Sequence, residues 1–259
     1  MDCRVKPGND DSSDDPAGCH LVILQLERLS KAFGSVIVAD GIDLEIEEGA
    51  ALGIIGPNGA GKSSLFNLIG GALKPDSGVI RLAGEDVTGT SPQSRARSGI
   101  ARSFQIPQPF ANLTVFENLL VGATHCRDRH IADVADKCGR VLEQTGLLPL
   151  ANRRAGTLTL LERKRLELAR ALAAEPRLLL LDEIAGGLTE SECHVLVDTI
   201  RKIRSTGVTI VWIEHIVHAL LAVVDRLLVL NFGRKIADGE PRTVIASPNV
   251  REIYLGIEA

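Results

Sequence analysis

Aromatic residues are scarce in this chain: one Trp, one Tyr and six Phe make up 3% of 259 residues. That is too few for base-stacking platforms, and no block of Lys and Arg offers a phosphate-tracking stripe, so no nucleic-acid partner is expected. The five cysteines (Cys3, Cys19, Cys126, Cys138 and Cys193) are odd in number and show no C-x-x-C spacing. This argues against a disulfide framework and a zinc site, and it fits a reducing cytoplasm. Long hydrophobic runs are also missing. The longest stretch, Val217 to Leu230, is interrupted by Asp225 and Arg226 and falls short of the roughly 20 apolar residues a spanning helix needs. No apolar stretch of adequate length follows the first basic residues, as a signal peptide requires.

The remaining composition, 45% apolar and 24% charged, is ordinary for a globular protein of a size that buries a substantial core. Residues 1–20 differ. They carry Asp2, Asp10, Asp11, Asp14 and Asp15 against only Arg4 and Lys6, so most of the formal charge of −4 lies there. With little apolar content, this segment reads as a disordered tail or an overlong start, and the fold is expected to begin at residue 21.

The most informative stretch is Gly56-Pro57-Asn58-Gly59-Ala60-Gly61-Lys62-Ser63, which satisfies G-x-x-x-x-G-K-S. It follows a strand-like run, Ala51 to Ile55, and precedes a helix-like run from Ser64 to Leu73. That is the setting in which a phosphate-binding loop works. Its glycines let successive N–H groups converge on an anion at the positive end of the next helix. Lys62 should reach the β- and γ-phosphates, and Ser63 should ligate Mg²⁺.

Strand-like patterns also run from Leu21 through Leu29 and from Ile42 to Ile46, an antiparallel edge unit before the phosphate loop. Gly78 to Leu82 and Gly99 to Phe104 read as short strands. Residues 106–175 then change character, with helical periodicity over Val115 to Ala123, Ile131 to Thr145 and Leu161 to Ala174. This block reads as a helical subdomain inserted into an α/β core. The core resumes with strands Arg177 to Asp182, Val208 to Ile213 and Arg226 to Leu230, alternating with helices Glu190 to Arg204 and His215 to Val223. Such alternation implies a mostly parallel sheet, and the whole an α/β fold with a P-loop NTPase core. The run Leu178 to Leu181 ends in Asp182-Glu183. A parallel sheet brings such a strand end to the same edge as the phosphate loop. There Asp182 would orient Mg²⁺, and Glu183 would take a proton from the attacking water.

Taken together, the phosphate loop, Gln105, the run Leu158-Thr159-Leu160-Leu161-Glu162-Arg163-Lys164, Asp182-Glu183 and His215 resemble, in order, the motifs of an ATP-binding cassette transporter ATPase. The resemblance covers about residues 21–259. Ala101-Arg102-Ser103-Phe104-Gln105, Leu113 to Asn118, Ala185-Gly186-Gly187-Leu188-Thr189 and Tyr254-Leu255-Gly256 look like the branched-chain amino acid importer group. The resemblance implies that Phe33 stacks on adenine, an ordinary core Phe being the alternative. It implies that Gln105 senses the γ-phosphate or Mg²⁺, and that His215 holds the water and Glu183 in line. Gly56 to Ser63, with Ser64, would cradle ATP, and Ser63, Gln105 and Asp182 would hold the metal. The implied partners are a second ATPase subunit, a pair of membrane permeases and, indirectly, a periplasmic or external solute-binding protein. The implied location is the cytoplasmic face of the plasma membrane.

The sequence departs from the family where the signature Leu-Ser-Gly-Gly-Gln is expected. Thr159 replaces the serine, Leu160 and Leu161 the glycines, and Glu162 the glutamine. Each leucine adds a side chain where close backbone approach is normal, although Thr159 and Glu162 form an S/T-x-x-E capping box that gives the helix a defined start. Ile184 stands where proline is usual, and Thr189 where many members have Asp. A hydrolysis-impaired partner in a heterodimer therefore stays open beside the active importer subunit. A lipopolysaccharide-export ATPase is a further alternative, and a soluble cassette of translation or repair a weaker one.

Overall fold

The computed structural model describes residues 21–127 and 131–255. The segment 1–20, Cys3, Cys19 and Gly256 lie outside them. In chain order the elements are β1 (Val22–Phe33), β2 (Val36–Glu47), β3 (Ala51–Ile55), α1 (Lys62–Ile69), β4 (Ser77–Leu82), β5 (Glu85–Asp86), α2 (Pro92–Arg97), β6 (Ile100–Ser103), α3 (Val115–Arg127), α4 (Ile131–Gln144), α5 (Leu160–Ala173), β7 (Leu178–Asp182), α6 (Glu190–Arg204), β8 (Thr209–Ile213), α7 (Val217–Leu221), β9 (Arg226–Asn231), β10 (Arg234–Gly239), α8 (Pro241–Ala246) and α9 (Pro248–Leu255).

Two sheets form. One is four-stranded and antiparallel, in the order β2-β1-β4-β5; the other is six-stranded, in the order β10-β9-β3-β8-β7-β6. Every pairing in the second is parallel except β10 with β9. The leucine run of β7 explains how the layers stack. Side chains alternate across a strand, so Leu178 and Leu180 face the core shared with β1, β2 and α1, whereas Leu179 and Leu181 face the core shared with α6 and α7. A strand covered on both faces has no reason to alternate polarity, and its sequence is continuously apolar. A third core gathers Val115 and Leu119 of α3, Val134 and Leu142 of α4, and Leu166 and Ala169 of α5.

The observed hairpin of β1 and β2 is longer than the expected strands at Leu21–Leu29 and Ile42–Ile46. Register shifts between Leu26 and Leu29 and between Leu29 and Lys31 break the two-residue alternation midway, so the pattern fades although the strand continues. The expected helix His215–Val223 shrinks to α7 because the Glu214 carboxylate accepts the N–H groups of His215 and Ile216, holding both residues outside the helical turn. Beyond β9 the exposed β10 has no periodicity to read.

Arg95 ties α1 down. It is 1% exposed, and its guanidinium bonds the Leu68 carbonyl, the Ile69 carbonyl at 2.7 Å and the Thr88 carbonyl at 2.9 Å. A cation at the carbonyl end of a helix is favourable, and losing it strands buried acceptors. Arg95→Met is expected to cost about 3 kcal/mol, read as a lower urea midpoint at unchanged slope.

Candidate functional site

The parallel order β3-β8-β7-β6 brings four chain segments to one sheet edge: the phosphate loop after β3, Glu214-His215 after β8, Asp182-Glu183 at β7, and Phe104-Gln105 after β6. This is where parallel sheets present ligand sites.

Within the phosphate loop, two glycines are required by sterics. Gly56 has φ +157 and a Cβ there would sit 2.2 Å from the Leu230 carbonyl oxygen; Gly61 has φ +102, and its Cβ would sit 2.2 Å from that of Val38. Both distances are far inside contact, so no other residue fits without moving β9 or β2. The Gly233 N–H donates to the Ala60 carbonyl at 2.9 Å, and the Gly233 carbonyl accepts from the Asp40 N–H at 2.8 Å. The β9–β10 turn thus ties the loop to β2. Lys62, 5% exposed, donates from Nζ to the Gly56 carbonyl at 2.7 Å and the Pro57 carbonyl at 3.0 Å. Burial lowers its ammonium from the usual lysine range, while Glu183 and Asp182 pull the other way. Asn58, Gly59, Ala60, Gly61, Lys62, Ser63 and Ser64 line a cavity of about 260 Å³ together with Val36, Val38 and Glu183.

Glu183 stands at the centre of the edge. Its Oε1 lies 2.7 Å from His215 Nε2, and its Oε2 accepts from Gln105 Nε2 at 2.6 Å. Its backbone has φ +45, unusual for a residue with a Cβ, and is fixed by its N–H donating to the Ile213 carbonyl at 2.9 Å. Strained residues of this kind concentrate at functional sites. Asp182 Oδ2 accepts from Arg102 Nη2 at 2.6 Å, and Arg102 Nη1 reaches Asn67 Oδ1 at 2.6 Å, its guanidinium standing over the rings of Phe66 and Phe104. Ser63, Gln105 and Asp182 line one cleft of about 600 Å³. Their donors are all oxygens, the hard ligands that suit Mg²⁺. Among the described residues no three His, Cys, Asp or Glu side chains converge as a metal cage, so a cation here needs further oxygens from phosphate or water, as Mg²⁺ characteristically does.

Residues 39–186 match the family model described as ABC transporter. The chain belongs to the ABC transporter family. This cassette is 36% identical over 249 residues to the high-affinity branched-chain amino acid transport ATP-binding protein BraF of Pseudomonas aeruginosa, covering 90% of this chain and 98% of that one. It is 34% identical over 250 residues to the probable branched-chain amino acid transport ATP-binding protein LivG of Methanocaldococcus jannaschii, at 90% and 97% coverage. A crystal structure of an ABC transporter cassette in its ADP conformation superposes with a TM-score of 0.83 at 34% identity, covering 91% of this chain and 99% of that chain. Nucleotide binding and work alongside transmembrane permeases are properties of this family. Among the described residues of the cassette, no helix is long and apolar enough to cross a membrane.

Phe33, Thr159, Leu160, Leu161, Ile184 and Thr189 are not among the residues lining the phosphate-loop cavity. Phe33 ends β1, is 53% exposed and carries the Lys31 ammonium 5.4 Å above its ring; it does not line the loop cavity, whereas Val36 across the hairpin does. Thr159 caps α5 as its spacing predicts: its hydroxyl accepts the Glu162 N–H at 3.3 Å, and its own N–H donates to Glu162 Oε2 at 2.8 Å. It too lies outside the cavity. Leu160 is 44% exposed, while Leu161 packs partly against the core shared with α6 and α7. Thr189 caps α6 through a second box with Glu192, and Ile184 is buried; Thr159, Thr189 and Ile184 thus have local structural jobs, whereas the exposed Leu160 has none. Phe110 is exposed under the Arg170 guanidinium, and Leu113 is half-buried.

Arg102, Lys164 and Glu214 belong to this region and carried no assignment in the sequence. Arg102 and Lys164 fall inside motifs quoted above, and Glu214 precedes His215. A charge one step past the apolar run Ile210 to Ile213 is the signal that marks Glu214, because such a charge is either solvated or deliberately paired.

Proposed function

We propose that this chain is the ATP-hydrolysing subunit of an ABC importer that takes up branched-chain or related amino acids. The observation that carries the reading is the bonded series Gln105–Glu183–His215 beside the phosphate loop. Residues 21–259 form the cassette, with 106–175 as its helical arm. In this reading Gly56 to Ser64 grip the phosphates, Lys62 reaches the β- and γ-phosphates, and Phe33 covers adenine. Ser63, Gln105 and Asp182 hold Mg²⁺, which supplies charge neutralisation at the phosphates. Glu183 receives the proton of the attacking water. His215, 2.7 Å from Oε1, orients that carboxylate and faces the γ-phosphate, while Gln105 reports whether the site is loaded. Thr159 and the start of α5 meet the nucleotide of a second ATPase subunit, and the closed pair moves the permeases from the cytoplasmic face of the membrane.

The amino-acid preference rests on the names borne by relatives such as BraF and LivG. Reconstitution with the permeases and a binding protein is expected to give ATP-driven uptake of leucine, isoleucine and valine ahead of other amino acids, amides or urea. ATP hydrolysis with preferential uptake from the latter groups would overturn the solute assignment. Absence of hydrolysis in the full assembly would overturn the enzymatic one and favour the hydrolysis-impaired reading that exposed Leu160 raises.

A further inference from the structure

Glu214 is only 1% exposed, and the chemistry above does not use it. Its Oε1 accepts the Ala185 N–H at 2.6 Å, and its Oε2 accepts the N–H groups of His215 at 3.1 Å and Ile216 at 3.5 Å. Ala185 lies two residues past Glu183, and His215 is the residue to which Glu183 bonds. One side chain therefore holds the backbones of both loops whose side chains meet at 2.7 Å. A carboxylate this deep is tolerated only when compensated. Three amides do part of that work, and the nearest cation is that of Lys164. Lys164, in the second turn of α5 and itself 4% exposed, feels the Glu214 charge, which raises its ammonium against the burial that lowers it; the attraction is reciprocal. Lys164 also lines a recess of about 420 Å³ with Gln105, Leu160, Glu183, Gly186 and Gly187.

We propose that Glu214 is a positioning residue that clamps the Glu183 and His215 loops in register, its charge supported by the Lys164 cation of α5. This rests on the hydrolytic reading above. The structure gives the idea a pH signature. Burial raises the Glu214 carboxyl, its backbone bonds lower it, and Glu183 raises it further. The titratable and charged groups around it are Lys164 from α5, Glu183 from the loop after β7 and Cys193 from α6. As pH falls through the raised value, the carboxylate gains a proton and loses acceptor strength towards the amides, loosening the clamp. Lys164→Met removes the cation that favours the charged form, so the carboxyl rises and the acidic limb of activity moves to higher pH.

The test uses the full chain, alone and with its partner ATPase subunit, and follows steady-state hydrolysis against pH with ATP affinity measured separately. Glu214→Gln places an amide donor against a backbone N–H. It is expected to lower kcat by about 10²-fold, the scale of a small misplacement of reacting groups, while KM and ATP affinity stay within about twofold. Lys164→Met is expected to move the acidic limb of kcat upward. Unchanged kcat in Glu214→Gln overturns the proposal, as does a joint loss of kcat and ATP affinity with an unmoved limb in Lys164→Met. A wild-type chain without ATPase activity overturns the hydrolytic reading and this inference together; an active wild type with indifferent variants overturns this inference alone.

Discussion

Glu183→Gln is expected to bind ATP as the wild type does and to lose about 10²- to 10⁴-fold in kcat, the range a general base contributes. The substitution is isosteric, so the left-handed backbone at this residue, held by the Ile213 carbonyl, is undisturbed. The side-chain amide keeps an oxygen for Gln105 Nε2, and its nitrogen faces His215. What disappears is the capacity to take a proton. With hydrolysis blocked, the ATP-bound pair of cassettes should accumulate, visible as a larger species in size-exclusion chromatography only when ATP is present. Phosphate release at the wild-type rate would remove Glu183 from the role of base.

The second large effect is expected at Lys62. Its ammonium already donates to the Gly56 and Pro57 carbonyls at the mouth of the loop. A phosphate would give it a charge-assisted partner, a class of bond worth about 1.5–3 kcal/mol net. Lys62→Met keeps the stem and removes the charge, so ATP affinity should fall on the order of 10²-fold, since about 1.4 kcal/mol corresponds to a factor of ten. Titration with a fluorescent ATP analogue measures this, and thermal unfolding without nucleotide serves as the folding control. An affinity within threefold of wild type, against the tenfold steps of this scale, would mean that the backbone amides alone hold the phosphates.

Much of the site was legible because it is written in local signals. A glycine pattern between a strand and a helix, two acids closing a leucine run, and a histidine after the next strand are all short-range features, and parallel topology carries them to one edge. The Thr159 and Glu162 spacing likewise contained its own geometry. What was not legible depends on tertiary neighbours. Nothing near Arg102 in the chain announces that its guanidinium spans Asn67 and Asp182. Glu214 looks like an ordinary acid until β8 buries it against the Ala185 amide. The β1–β2 hairpin was half seen because its bulges interrupt the only periodicity that reveals a strand.

The turn at Gly233 sits far along the chain from the residues it supports. A truncated form ending at Asn231 would retain every motif from Gly56 to His215 but would lack the N–H that holds the Ala60 carbonyl and the carbonyl that receives Asp40. A search for a minimal cassette that trims by motif boundaries would therefore cut away a strut of the loop it means to keep.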